Sequence, residues 1–191
     1  MKSEINITII GPDKKGIVAE VTKYIFTNGC NIEGVSQNVL NKVFFMNVKV
    51  SANKNFQKTK FDNGLKKLAE KSGLEAKLYF EKKEKLKNMA ILVTKEPHVL
   101  EELLKAHKAK KLKINIPIVI GTTNKLKEIS KKFGIKFLLV KDNDQTIRER
   151  RILKILEKNN VDFIVLARYM KILSPKFVWN YTNRIINIHP S

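Results

Sequence analysis

The chain has 191 residues, of which 43% are hydrophobic and 29% charged, and its 38 basic and 18 acidic side chains give a formal net charge of +20. This composition excludes a disordered polymer, and no apolar run approaches the roughly 20 residues that cross a bilayer. A single cysteine, Cys30, excludes an intrachain disulfide and a cysteine-rich metal site. The first residues lead straight into strand-like alternation without an apolar signal region, so the expected location is the cytoplasm. Most of the positive charge is lysine spread over both halves, with Lys105, Lys108, Lys110, Lys111 and Lys113 as its densest patch. Lysines on solvated faces, without a groove-fitting element or stacked aromatics, indicate no specific nucleic-acid partner. The field they create still concentrates small anions.

In chain order, residues 5–10 alternate isoleucine with Asn and Thr, which predicts a strand broken by Gly11-Pro12-Asp13-Lys14-Lys15-Gly16. Ile17, Val21, Tyr24 and Ile25 recur at helical steps until Asn28-Gly29. Residues 31–38 and 43–50 read as strands joined through Leu40-Asn41-Lys42. Phe56, Phe61, Leu65 and Leu68 then mark a second helix that stops near Ser72-Gly73, and residues 74–80 alternate again. Strand, helix, strand, strand, helix, strand is the order of a ferredoxin-like sheet with two helices on one face. The helix start after Gly16 offers unpaired backbone N–H groups that suit a carboxylate.

Glu81-Lys82-Lys83-Glu84-Lys85 reads as a charged linker, which divides the chain into residues 1–83 and 84–191. Beyond it the pattern alternates strand and helix: an apolar run from Met89, a helix over residues 97–108, strands at 114–120, 136–140, 161–167 and 184–188, and helices at 125–133 and 145–158. Ser174-Pro175 has the form of a helix cap followed by a first-turn proline. Short apolar strands separated by helices predict an α/β unit with a mostly parallel sheet covered on both faces. Ligands of such sheets sit at the carboxyl ends of the strands.

Three segments fall at those ends. Thr94, Lys95, Glu96 and His98 occupy the loop after the first strand, where either a site or a solvated turn is expected. Residues 166–173 follow the fourth strand, and either line a pocket or form a helix start packed on the sheet. Asn187 and His189 stand two apart on the last strand, so period two places them on one side. An amide that donates to a developing oxyanion beside an imidazole suits acyl chemistry, whereas the plainer reading is a strand end entering a turn. Gly121 and Gly134 belong to no phosphate-binding fingerprint, and His98 and His107 lack metal-ligand spacing, so neither a nucleotide cofactor nor a metal is expected.

Gly11-Pro12-Asp13, Gly16-Ile17-Val18-Ala19 and Gly29-Cys30-Asn31-Ile32 resemble the opening of an ACT domain. The resemblance implies a regulatory or dimerising module, with Asp13, Gly16 and Asn31 around an amino-acid effector, or else a subunit contact alone. It makes a homo-oligomer the expectation. Ile91-Leu92-Val93-Thr94-Lys95-Glu96 with His98, Val165-Leu166-Ala167-Arg168-Tyr169-Met170-Lys171-Ile172-Leu173 and Ile186-Asn187-Ile188-His189-Pro190-Ser191 resemble the formyltetrahydrofolate deformylases. That likeness spans both halves and implies a Rossmann-like formyltransferase catalytic unit that hydrolyses formyltetrahydrofolate, its substrate, with no separate cofactor and with formate passing to purine synthesis.

Carried over by resemblance, Asn187 donates to the formyl oxyanion and His189 assists proton transfer. Leu166, Tyr169, Met170, Lys171, Ile172 and Leu173 line the folate pocket. Lys171 stands where that family usually carries arginine, and Pro190 where deformylases commonly carry a second histidine and the related glycinamide ribonucleotide transformylases carry proline. The family also places an aspartate in an Asp-Glu-Gly-Pro segment well beyond its Asn-Ile-His strand, and no such segment occurs up to Ser191. The expectation is a catalytic unit represented by its N-terminal portion, weakly active or inactive alone. The alternatives are a transformylase-like transferase and a non-catalytic folate- or amino-acid-binding fragment.

Overall fold

A computed structural model describes residues 3–53, 56–80 and 86–188. The chain forms two compact units, residues 1–83 and 84–191.

The first unit contains β1 (Ser3–Pro12), α1 (Ile17–Thr27), β2 (Cys30–Leu40), β3 (Val43–Ala52), α2 (Lys58–Lys71) and β4 (Glu75–Phe80). Its sheet has the order β2-β3-β1-β4, with every pair antiparallel. Alternation in β1 puts Ile5, Ile7 and Ile9 into one core with Ile17, Val21 and Ile25 of α1 and Phe61, Leu65 and Ala69 of α2. The opposite side of β1 carries Thr8, whose hydroxyl donates to Asn47 across the strand pair at 2.7 Å. A two-residue hairpin joins β2 to β3 through Asn41 and Lys42, both at positive φ. This is the mirror-image turn whose twist matches that of the strands it connects.

Gly11 and Pro12 do not break the first strand, as their composition suggests, but continue it opposite Phe44 and Val43. A β-carbon on Gly11 would lie 2.6 Å from the Leu74 side chain, so the ladder extends where only glycine fits. Phe56 precedes α2 instead of lying within it, yet packs on the same core.

The second unit contains β5 (Lys87–Val93), α3 (His98–Lys108), β6 (Ile114–Gly121), α4 (Lys127–Lys132), β7 (Phe137–Leu139), α5 (Gln145–Lys158), β8 (Phe163–Ala167), α6 (Pro175–Asn180) and β9 (Ile185–Ile188). Its sheet is wholly parallel among the described residues, in the order β7-β6-β5-β8-β9. Residues of β5 divide by parity. Met89, Ile91 and Val93 pack with Leu100 and Leu104 of α3, while Ala90 and Leu92 pack with Ile152 and Leu156 of α5 and Phe177 of α6. Covering both faces is why these strands read as continuous apolar runs.

Several elements are shorter than their sequence patterns. The strand expected from 161 begins at Phe163, because Asp162 accepts a hydrogen bond from the Asn88 backbone N–H at 2.7 Å. Asp144 caps α5 by accepting from the Ile147 N–H at 2.8 Å, and Ser174 caps α6 by accepting from the Phe177 N–H at 3.2 Å. No helix among the described residues is long and apolar enough to cross a membrane.

Candidate active site

The parallel sheet starts at its centre with β5, grows outward through β6 and β7, then returns to place β8 on the other side of β5. The loops after β5 and β8 therefore diverge, and a crevice opens between them at the carboxyl edge. Hydrogen bonds join the loops along this edge. The Thr94 hydroxyl donates to the Arg168 carbonyl at 2.7 Å, the Thr123 hydroxyl to the Thr94 carbonyl at 3.1 Å, and the Val140 N–H to the Gly121 carbonyl at 2.9 Å. Gly121 ends β6 where a β-carbon would meet the Phe137 ring and lie 2.9 Å from the Thr123 carbonyl. Glycine lets β6 and β7 close together here.

A cavity of about 380 Å³ lies along this edge. Thr94 and Lys95 contribute from the β5 loop, Thr122 and Thr123 from β6, Val140, Lys141, Asp142 and Asn143 from β7, Arg148 from α5, and Met170 and Lys171 from β8. Arg148 is buried, and its guanidinium donates to the carbonyls of Asp142 at 3.0 Å and Asn143 at 3.3 Å, which holds the β7 loop. The Asp142 carboxylate pairs with Arg151 at 2.7 Å. Four cations and one already paired carboxylate make the lining positive, suited to an anionic or carbonyl-bearing ligand.

Arg168 turns the chain out of β8 with φ at 51°. Left-handed backbone costs a residue with a β-carbon on the order of 1 kcal/mol, and hydrogen bonds on both sides hold it there. Its N–H donates to the Ile188 carbonyl at 3.2 Å, and its carbonyl accepts from Thr94. Two buried polar atoms at this exit, Arg168 Nε and the Tyr169 hydroxyl, lack hydrogen-bond partners among the described residues. Burial pushes the Tyr169 phenol above its usual pKa, and the nearby Arg148 charge opposes that shift.

The residues singled out in the sequence separate into groups. Thr94, Lys95, Met170 and Lys171 meet in the cavity. Glu96 lies beside it, and His98 begins α3 on the surface. Leu166 and Tyr169 are core side chains, and Leu173 packs against the same core. Ile172 is 88% exposed at the loop's tip. Asn187 is exposed near the carboxyl end of β9, opposite Leu166 in register, while His189 lies outside the described residues. Thr122, Thr123, Lys141, Asp142, Asn143 and Arg148 were not singled out. The usable signal was positional, since the residues that follow each apolar run of a parallel sheet share one edge.

The three aspartates of this unit already have structural partners. Asp142 pairs with Arg151, Asp144 caps α5, and Asp162 holds the amino end of β5. No group of three or more His, Cys, Asp and Glu among the described residues is placed to hold a metal.

In the first unit, Asp13 and Gly16 line a cavity of about 490 Å³ with Ile17, Val18, Gln37 and Phe44. Gly16 stands at φ 90° immediately before α1, which turns the chain into the helix. Asn31 does not join them. It sits at the other end of β2, opposite Ser51 in register, and its amide donates to Glu33 at 3.0 Å. Strand length explains the separation, because the β2 residues in the cavity, Gln37 and Val39, lie six and eight positions further on.

Residues 4–79 match the ACT domain and residues 87–191 the formyl transferase family. The formyltetrahydrofolate deformylase of Bacillus subtilis is 36% identical over 187 residues, a match covering 94% of this chain and 61% of the relative. The crystal structure of a formyltetrahydrofolate deformylase from Pseudomonas putida superposes with a TM-score of 0.56 at 25% identity, covering 97% of this chain and 68% of that one. A phosphoribosylglycinamide formyltransferase from Bacillus halodurans superposes with a TM-score of 0.51 at 27% identity, but over 55% of this chain and 56% of its own. The chain spans about three fifths of the length of the curated relatives it matches. A positive crevice at the switch point of a parallel sheet, on a segment matched through more than half the chain, supports one conclusion: this protein belongs to the formyl transferase family and carries an ACT domain ahead of the matched region.

Proposed function

We propose that this chain acts on formyltetrahydrofolate by hydrolysis, releasing formate and tetrahydrofolate for one-carbon and purine metabolism in the cytoplasm. The observation that carries this reading is the continuity of the match. The deformylase relatives align with 94–95% of the chain, through both the ACT and the formyl transferase regions. The transferase structure aligns with little more than half.

In this reading the pterin ring lies against the 168–173 loop, where Met170 and the backbone offer an apolar wall and hydrogen-bonding groups. Lys95, Lys141 and Lys171 face the substrate's carboxylates. Asn187 donates to the oxyanion formed as water adds to the formyl carbon, and His189 takes the water's proton and returns it to the departing nitrogen. The tetrahydrofolate nitrogen leaves with that proton and formate carries the added oxygen, so the step needs neither cofactor nor metal. Asp13 and Gly16 border the site of an amino-acid effector in the ACT unit, and the functional form is a homo-oligomer.

Because the relatives are longer, binding and turnover are read separately. Purified chain is mixed with formyltetrahydrofolate, affinity is followed by fluorescence and formate is quantified without an amine acceptor. Asn187→Ala is expected to lower formate release by about 10²–10³-fold with little change in affinity, and His189→Ala to do the same. Formyl transfer only when an amine acceptor is added would establish a transferase instead. Binding without turnover would establish a folate-binding protein, and absence of binding would overturn the reading of the crevice.

A further inference from the structure

We propose that Glu149, a buried carboxylate on α5, is the positioning residue that sets the conformation of the 168–173 loop; its importance for substrate rests on the reading of that loop as the folate-facing wall. Glu149 is 5% exposed. A carboxylate taken out of water is tolerated only when hydrogen bonds replace its hydration, and those of Glu149 reach the end of the loop. Its Oε1 accepts from the Ser174 N–H at 2.8 Å and from the Gln145 side-chain amide at 2.9 Å, while Oε2 accepts a short hydrogen bond from the Ser174 hydroxyl. The same Gln145 amide donates to the Ile172 carbonyl at 3.0 Å. Gln145 and Glu149 lie four apart on α5, so one helix face supplies both groups.

The loop has little else to hold its tip. Met170 is 53% exposed and Ile172 88% exposed, so neither is locked by packing. At its start, the Arg168 carbonyl is tied to Thr94. At its end, Ile172 and Ser174 are tied to the Gln145–Glu149 pair. Two anchors thus fix a segment whose middle presents side chains to the crevice. Ser174 also caps α6, which couples the loop's end to a helix packed in the core. Glu149 touches none of the reacting groups and acts through the backbone it holds.

Tryptic cleavage after Lys171, followed by mass spectrometry on the free chain, reads the loop without any ligand. Fluorescence titration with formyltetrahydrofolate reads the pocket. In Glu149→Ala, cleavage after Lys171 is expected to accelerate about tenfold and affinity to fall about tenfold, the loss that follows from removing a charge-assisted hydrogen bond. Gln145→Ala should shift both in the same direction by less. Glu149→Gln keeps a carbonyl acceptor for the Ser174 N–H, so it should fall between parent and alanine and carries the test if the alanine variant does not fold. Asn88→Ala removes the hydrogen bonds that its side chain donates to the Asn160 carbonyl and accepts from the Asn115 amide at the opposite end of the sheet, and should change neither quantity. Unchanged cleavage in Glu149→Ala, or equal acceleration in Asn88→Ala, would overturn the proposal. Accelerated cleavage with no folate binding by the unsubstituted chain would uphold the clamp and overturn the folate reading instead.

Discussion

The two units place their buried polar groups differently. In the ACT unit the described buried polar side chains are Thr8 and Ser51, both hydrogen bonded on the sheet. In the formyl transferase unit Thr94, Arg148 and Glu149 are buried near the carboxyl edge and hold the loops around the crevice. Arg168 adds left-handed backbone there, and Arg168 and Tyr169 contribute buried polar atoms without hydrogen-bond partners among the described residues. Buried polar atoms without partners among the described residues also occur at Asp62 in the first unit and Asn180 in the second, but only the second unit gathers buried charge, left-handed backbone and two such atoms around one crevice. Such costs persist where the surroundings hold them in place, and their combination with the Thr94 and Arg148 hydrogen bonds sets the crevice apart from the rest of the sheet.

Core truncation should show the largest effect and treat the units alike. Phe61→Ala in the first and Phe177→Ala in the second each remove a fully buried ring, and urea unfolding should show a loss of about 3–5 kcal/mol in the unit concerned. A loss below about 1 kcal/mol would mean that the core is not packed as described. Next, Asp162→Ala should cost about 1–3 kcal/mol, because it leaves the half-buried Asn88 N–H without its charged acceptor. The ACT unit offers no equivalent buried charge among the described residues, so this sensitivity should be specific to the second unit.

Loss of a helix cap is smaller. Asp144→Ala removes the acceptor for the Ile147 N–H and should lower stability by about 1 kcal/mol, read from the urea midpoint at constant slope. The smallest effect belongs to Tyr169. Tyr169→Phe removes a buried hydroxyl that faces the Arg148 guanidinium without a well-aligned hydrogen bond among the described residues, so stability at neutral pH should stay within about 1 kcal/mol of the parent. The phenol's pKa is raised in the folded state. Its contribution is therefore fully present below the ordinary value of 10.0 and is lost as pH rises through the higher folded value. The phenylalanine variant should lack that part of the alkaline loss, and an identical pH profile in both proteins would refute the burial of the phenol.

Elements with a clear period were legible in the residues. The continuous apolar run at Met89 foretold a strand covered on both faces, and Ser174-Pro175 foretold the start of α6. Local composition misled at Gly11-Pro12, where the ladder with β3 overrides the breaking tendency of both residues. The candidate site was legible where it lies in loops directly after strands, as with Thr94, Lys95, Met170 and Lys171. Asn31 was grouped with Asp13 and Gly16 because motif resemblance carries no distance. Arg148 and Glu149 were missed because a charged residue on a helix ordinarily faces water, and nothing in their spacing tells that these two are turned inward.

The amino-acid sequence by itself determined the two-part organisation, the period of each element and the family, because these depend on local preference and on which side chains avoid water. Tertiary structure alone decided which loops share an edge, which charges lie inside and how the 168–173 segment is held. Those properties come from strand order and from hydrogen bonds between residues such as Thr94 and Arg168, 74 positions apart in the chain, whose meeting no local pattern encodes.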